Sequence, residues 1–160
     1  MPVYTIEGFD LPAVVTLADF PEVLRRVNAR AALVVQREAR DNAWQFRDTG
    51  ALARSIQARV EDLTVTVSVP SNQPTAAYAN VMELGRRPGR LPPPWRAVYG
   101  WARRHPSPYG QSVDRWVHIV ANVVGRRGIE GRLYMQRAYE SLLHQMPTII
   151  DTVMHQMGLA

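Results

Sequence analysis

Apolar residues recur at helical spacing from residue 24 onward, where Leu24, Val27, Ala31, Val34 and Val35 make one stripe. Arg25, Arg26, Arg30, Arg37 and Arg40 fall within about 140° on the other side, at ~100° per residue. Ahead of them, Asp19-Phe20-Pro21-Glu22 reads as a capping box with proline in the first turn. The pattern predicts a helix from Asp19 to about residue 43 with an arginine face. Glu38 falls on the apolar side, which predicts a buried or inter-subunit ion pair. After Asp48-Thr49-Gly50, with Thr49 capping a short turn through Arg54, the period changes to two. Ile56, Ala58 and Val60 alternate with Gln57 and Arg59, and Leu63, Val65, Val67 and Val69 alternate with Thr64, Thr66 and Ser68. These runs predict a β-hairpin turning at Glu61-Asp62 with one buried face. A lone hairpin is marginal in water, so it must pack on the first helix and find a further strand in this chain or a neighbour.

The flanking segments complete the outline. Residues 1–18 are apolar and interrupted by Pro2 and Pro12, an extended arm or an initial strand. Ala76 to Leu84 is a short helix or strand halted by Gly85, and residues 85–94, with four prolines and two glycines, form a loop. Trp95 to Arg104 is predicted helical, with Trp95, Val98, Trp101 and Ala102 inward, and residues 105–111 form a second long loop. Ser112 caps a helix through Val124, with Val113, Trp116, Val117, Val120 and Val124 inward and Gly125 stopping it. The last helix starts near Leu133 with Met135, Ala138, Leu142, Met146, Ile149, Val153 and Met157 in register, and Pro147 kinks or splits it. The expected class is α+β in a single domain over residues 1–160: a small antiparallel sheet built on the hairpin, packed against a long N-terminal helix and C-terminal helices.

Composition narrows the chemistry. Without cysteine there is no disulfide framework, thiolate zinc site or cysteine nucleophile. The N-terminus does not read as a signal peptide, and no apolar run approaches the ~20 residues of a bilayer span, so a soluble protein made in the cytosol, without membrane contact, is expected. The four histidines (105, 118, 144 and 155) lack metal-ligand spacing, and no nucleophile elbow, zincin helix or phosphate loop occurs. Neither an enzyme nor a cofactor is expected. The net charge is +5, and every basic residue is arginine, which pairs bidentately with carboxylate or phosphate. Arg86, Arg87 and Arg90, then Arg103-Arg104, then Arg126-Arg127 with Arg132 cluster in or beside loops. They either solvate those loops and pair across a subunit boundary, or contact phosphates with Trp95, Trp101 or Tyr109 stacking on bases. Trp95, Trp101 and Trp116 occupy helical core positions, which favours packing over stacking.

The order of motifs carries a resemblance. Thr49-Gly50-Ala51-Leu52-Ala53-Arg54-Ser55-Ile56 precedes the valine-rich hairpin, and Tyr78-Ala79-Asn80-Val81-Met82-Glu83-Leu84-Gly85 follows it. Then come Arg86 to Pro93, Trp101, and Gly125-Arg126-Arg127-Gly128-Ile129-Glu130-Gly131-Arg132-Leu133-Tyr134-Met135 before Ala138 and the terminal helix. Over roughly residues 20–155 this resembles the neck and tail-completion family of long-tailed bacteriophages, labelled tail component or minor tail protein. Arg86 stands where many members carry threonine, and Leu133-Tyr134 replace an aromatic-proline pair. The resemblance implies a non-enzymatic virion protein, assembled in the bacterial cytoplasm. It would form a ring of about six copies at the head–tail junction and let DNA pass. Its implied partners are further copies of itself, neighbouring connector or stopper proteins and tail-tube proteins, with DNA in transit. Ring contacts are then expected at the hairpin edge (Leu63, Val65, Val67 and Val69) and at the loop Gly85–Pro94, with Glu83 and Arg86 as a polar pair and Arg87 and Arg90 beside them. The Arg25/Arg26/Arg30/Arg37/Arg40 face would meet acidic protein faces or line the lumen. The alternative from the same residues is a small basic nucleic-acid-binding protein.

Overall fold

The structure is a computed structural model, and it describes Tyr4–Ile6 (backbone only), residues 21–61 and residues 63–159. The Asp19 cap, the remainder of the N-terminal arm and Asp62 lie outside the described residues. The elements in chain order are β1 (Tyr4–Ile6), α1 (Pro21–Trp44), α2 (Ala51–Ser55), β2 (Gln57–Glu61), β3 (Thr64–Ser68), α3 (Ala76–Leu84), α4 (Trp95–Arg104), α5 (Val113–Arg127) and α6 (Tyr134–Gln156). The class is α+β, as the patterning predicts. The chain forms two compact units, one of residues 1–80 with 133–160 and one of residues 81–132.

In the first unit the sheet is antiparallel with strand order β1-β3-β2. The initial segment does contribute a strand, pairing Tyr4 with Val67 and Ile6 with Val65. The hairpin register pairs Val60 with Val65 and Glu61 with Thr64, so Glu61 belongs to β2 and not to the turn in which the sequence suggests it. Val65, Val67 and Val69 are buried, whereas Val60 and Leu63 are exposed. The inward face predicted for both arms is therefore completed only on β3. A central strand has neighbours on both sides, and β2 sits at an edge.

The α1 helix packs on both the sheet and α6. Its buried residues, Val23, Val27, Ala31, Val35, Ala39 and Ala43, recur every four positions, with Ala32 beside them. A spacing of four exceeds the helical 3.6, so the stripe winds by about 40° per step. It turns to face different neighbours along the helix, which is why Leu24 and Val34, read from a straight stripe, lie half-buried at its flanks. The alanines let neighbours approach the helix closely. Polar side chains fix the arrangement: Asn28 donates to the Leu63 carbonyl at 2.9 Å, and Arg40 Nη2 and Gln36 Nε2 donate to the Ile56 carbonyl at 2.8 and 3.1 Å. Asn42 donates to the Tyr134 carbonyl at 3.2 Å and Arg30 donates to Gln156 Oε1 at 2.8 Å. These two bonds join the end of α1 to the start of α6 and its first half to the end of α6, so the two helices run antiparallel.

The α6 stripe follows its predicted register: Met135, Ala138, Leu142, Met146, Ile149 and Val153 are buried together with Tyr134. Pro147 lies inside this one continuous helix and does not split it. Proline removes one i to i−4 bond, and the buried residues on either side continue to hold the helix against the core.

In the second unit, α4 matches its predicted bounds. Ser112 caps α5, its side chain accepting from the Arg115 N–H. The helix does not stop at Gly125 but runs to Arg127, with Gly128 at φ 74° ending it. Gly125 is buried inside the helix because the backbone of Arg90 to Pro92 lies against it, where a Cβ would come 3.0 Å from the Arg90 carbonyl oxygen. At the other end of the helix pair, Trp116 Nε1 donates to the His105 carbonyl at 2.9 Å. With Pro92 near the end of α5 and His105 near its start, α4 and α5 are antiparallel.

Leu142→Ala, at a fully buried position (0% exposed), is expected to lower unfolding free energy by about 2–5 kcal/mol. Leu33→Ala, at a 65% exposed position, should stay within about 0.5 kcal/mol of the parent in the same urea titration.

Candidate functional site

Two of the three resemblance-bearing segments meet at the base of the second unit. Arg86 and Ile129 form an antiparallel bridge, the Arg86 N–H donating to the Ile129 carbonyl at 2.7 Å and the Ile129 N–H to the Arg86 carbonyl at 2.8 Å. The Arg132 N–H donates to the Met82 carbonyl at 2.8 Å. The residue types follow from this closeness. Gly128 has a positive φ, and a Cβ there would fall well inside contact distance of the Arg86 carbonyl oxygen. Gly85, at φ 78°, has the Ile129 carbonyl and the Gly131 N–H where a Cβ would stand. Side chains at either position would strain the left-handed backbone and push the two segments apart. Sequence reading took Gly85 only as the halt of its helix or strand, because nothing in a linear pattern says that it lies against a segment far along the chain.

Glu83, at the end of α3, is completely buried. Arg86, expected as its polar partner, is half-buried and donates Nη2 to the Leu91 carbonyl. Arg86 therefore shapes the loop that follows it, whereas Arg87, Arg90 and Leu91 (85% exposed) lie on the outside of that loop. The first resemblance segment folds in the other unit. Thr49 Oγ1 accepts from the Ala51 N–H at 3.3 Å but does not cap the helix, whose N-cap is Gly50 in a left-handed conformation, and buried Ser55 donates to the Leu52 carbonyl at 2.8 Å and accepts from Thr75 Oγ1 at 2.7 Å. Leu133, one of the departures from the family pattern, is a non-glycine residue at φ 53°, and Tyr134 after it is buried against Phe46, with ring centroids 6.0 Å apart.

The hairpin edge named from sequence is not an edge. Val65, Val67 and Val69 belong to the central strand and its end, and all three are buried. Among the described residues the strand with one neighbour on this side is β2, where Val60 is 40% exposed beside exposed Leu63. The arginine face of α1 divides in a similar way. Arg30 and Arg40 serve internal hydrogen bonds, whereas Arg25, Arg26 and Arg37 stay exposed. Arg26 pairs with Glu22 at 2.9 Å, with Arg25 at 3.8 Å from the same carboxylate. Glu38 is neither buried nor without a partner in its own helix, since it pairs with adjacent Arg37 at 3.3 Å. The indoles also depart from the core reading. Trp95 is 46% exposed, and Trp101 is partly exposed and stacked on His105 with centroids 4.6 Å apart.

Charge is segregated between the units. Ten of the 19 arginines and three of the 14 acidic residues lie in residues 81–132, giving that unit +7 and the remainder of the chain −2. An open groove in the first unit is lined by Arg40, Asp41, Trp44, Ala53 and Arg54, with Asp41 as its one carboxylate. Among the described residues no group of three or more metal-capable side chains comes together, and no helix is long and apolar enough to cross a membrane. Comparison with protein-family models, curated proteins and solved structures finds no match for the chain.

Gly128→Ala is expected to destabilise the second unit by several times as much as Gly89→Ala, whose added Cβ meets nothing and bears only the ~1–2 kcal/mol left-handed penalty. Amide exchange at Arg86, Ile129 and Arg132 should accelerate in the first variant and stay slow in the second.

Proposed function

We propose that this chain is a structural, non-enzymatic protein of a tailed-bacteriophage virion, forming a ring at the head–tail junction that joins or completes the tail and leaves a passage for DNA. The sequence order of the three family-like segments is the basis of this reading. The observation that carries it further is that Gly85, Gly128 and Gly131 of the second and third segments lie where two backbones touch. The resemblance thus rests on residues that shape the fold rather than on interchangeable surface positions.

A ring requires two different, complementary surfaces on each subunit, so that each copy passes its contact to the next. The β2 edge, which has one neighbouring strand among the described residues, supplies beside Val60 and Leu63 one surface suited to strand addition. The exposed tip of the loop over residues 87–91 supplies an apolar group, Leu91, with flanking arginines. Arg86 is assigned to holding that loop rather than to the contact itself.

Light scattering after size exclusion, with negative-stain imaging, is expected to show a ring of about six 18.1 kDa subunits that persists at ~0.5 M salt, where exposed charge attraction is screened. Val60→Lys combined with Leu63→Lys should give a folded monomer with an unchanged far-ultraviolet spectrum. Rings that form equally well in this variant would remove the β2 edge from the interface. A protein that stays monomeric alone and with purified tail-tube and connector rings would overturn the functional reading.

A further inference from the structure

We infer that the second unit carries a nucleic-acid-binding surface at the end formed by the loop after Arg86, the start of α4 and the end of α5, and that it holds the phosphate backbone with arginines around an exposed indole. The packing brings these parts together. The backbone of Arg90 to Pro92 lies on Gly125, and Arg86 to Pro88 lie on Gly128, so Arg87 and Arg90 come beside Arg126 and Arg127. Two residues beyond Pro93, α4 starts with Trp95 and Arg96 at this same end. Arg87, Arg90, Arg96, Arg126 and Arg127 are all exposed.

The unit holds three acids against ten arginines. Glu83 is buried, and Asp114 stands in the first turn of α5, at the opposite end of that helix. Glu130 is the acidic residue nearest to it, on the segment beside Gly85. The dipole at the end of α5 offsets part of the charge of Arg126 and Arg127, an effect that fades within one turn and does not reach Arg87, Arg90 or Arg96.

The partner is argued from what accompanies the charge. Trp95 is nearly half exposed, and the Arg96 guanidinium sits 5.3 Å from its ring centroid. An open indole with an arginine beside it suits a strand whose phosphates pair with guanidinium groups and whose bases stack on an aromatic face. An acidic protein surface would use the arginines and leave the indole without a matching group. The inference is tested at Arg126, Arg127 and Trp95, outside the loop over residues 87–91 assigned to the ring contact, so its test is separate from the test of assembly.

The experiment is fluorescence anisotropy of the full chain with a labelled 25-base-pair duplex and a labelled 25-nucleotide single strand, between 50 and 200 mM salt. Wild-type affinity is expected to fall about a hundredfold over that range, the slope for about four neutralised phosphates. Arg126→Gln with Arg127→Gln should weaken binding at least tenfold and make the salt slope shallower by about two. Arg25→Gln with Arg26→Gln, on the exposed face of α1, should leave both unchanged. Trp95→Ala should weaken the single strand more than the duplex, which a purely electrostatic contact would not do. Absence of salt-dependent binding by the wild-type chain, or an equal loss in the α1 variant, would overturn the proposal. Displacement of DNA by poly-glutamate at equal charge concentration would reassign the surface to an acidic protein.

Discussion

The winding apolar stripe of α1 is the constraint on which the first unit depends. Residues spaced by four present a seam that turns around the helix, so one helix is covered by the sheet, by α2 and by α6 along its length. Small side chains at Ala31, Ala39 and Ala43 bring those neighbours close, and Leu142, Val65 and Val67 fill the space they leave. Polar residues at the seam's margins then set register. Arg40 and Gln36 converge on one carbonyl at the start of β2, and Asn28 reaches the hairpin turn. Removing an apolar contact would open a cavity, whereas removing Asn28 would take its side-chain donor from the Leu63 carbonyl.

The second unit is organised by backbone rather than by side-chain volume. Its entering and leaving segments are bridged through Arg86 and Ile129, with glycines where a Cβ would prevent contact. The α4–α5 pair beyond that base has few fully buried residues, Ala102, Val117, Ala121 and Gly125 among them. The unit combines this thin core with a charge of +7. The same features leave aromatic and cationic groups outward, where they can recognise a partner.

Helix and strand types were legible wherever the apolar period was sustained, as in α1, α6 and the hairpin. The positional errors share a cause. Glu61-Asp62 was taken as the turn because alternation cannot distinguish a register from its neighbour when the turn lacks glycine. Gly125 was read as a stop because a glycine admitted for close approach looks the same in sequence as one admitted for a positive φ. Trp95 was read as core because helical spacing identifies a face and not what covers it. Of the candidate site, the family-like segments and the loop arginines were visible. The division of the α1 arginines between internal bonds and solvent was not, since it depends on where Ile56 and Gln156 come to lie.

The sequence by itself determined the class, the two long helices, the α4 and α5 helices and the hairpin, and the arginine-only basic character, because these follow from local periodicity and composition. It also determined the places where backbone had to be bare, by putting glycine at positions 85, 128 and 131. Tertiary structure alone decided which strand is central, which of the arginines are tied inward, and that Gly85 and Gly128 belong to one junction. Each of these is a relation between residues far apart in the chain, fixed by packing and hydrogen bonding that no local pattern records.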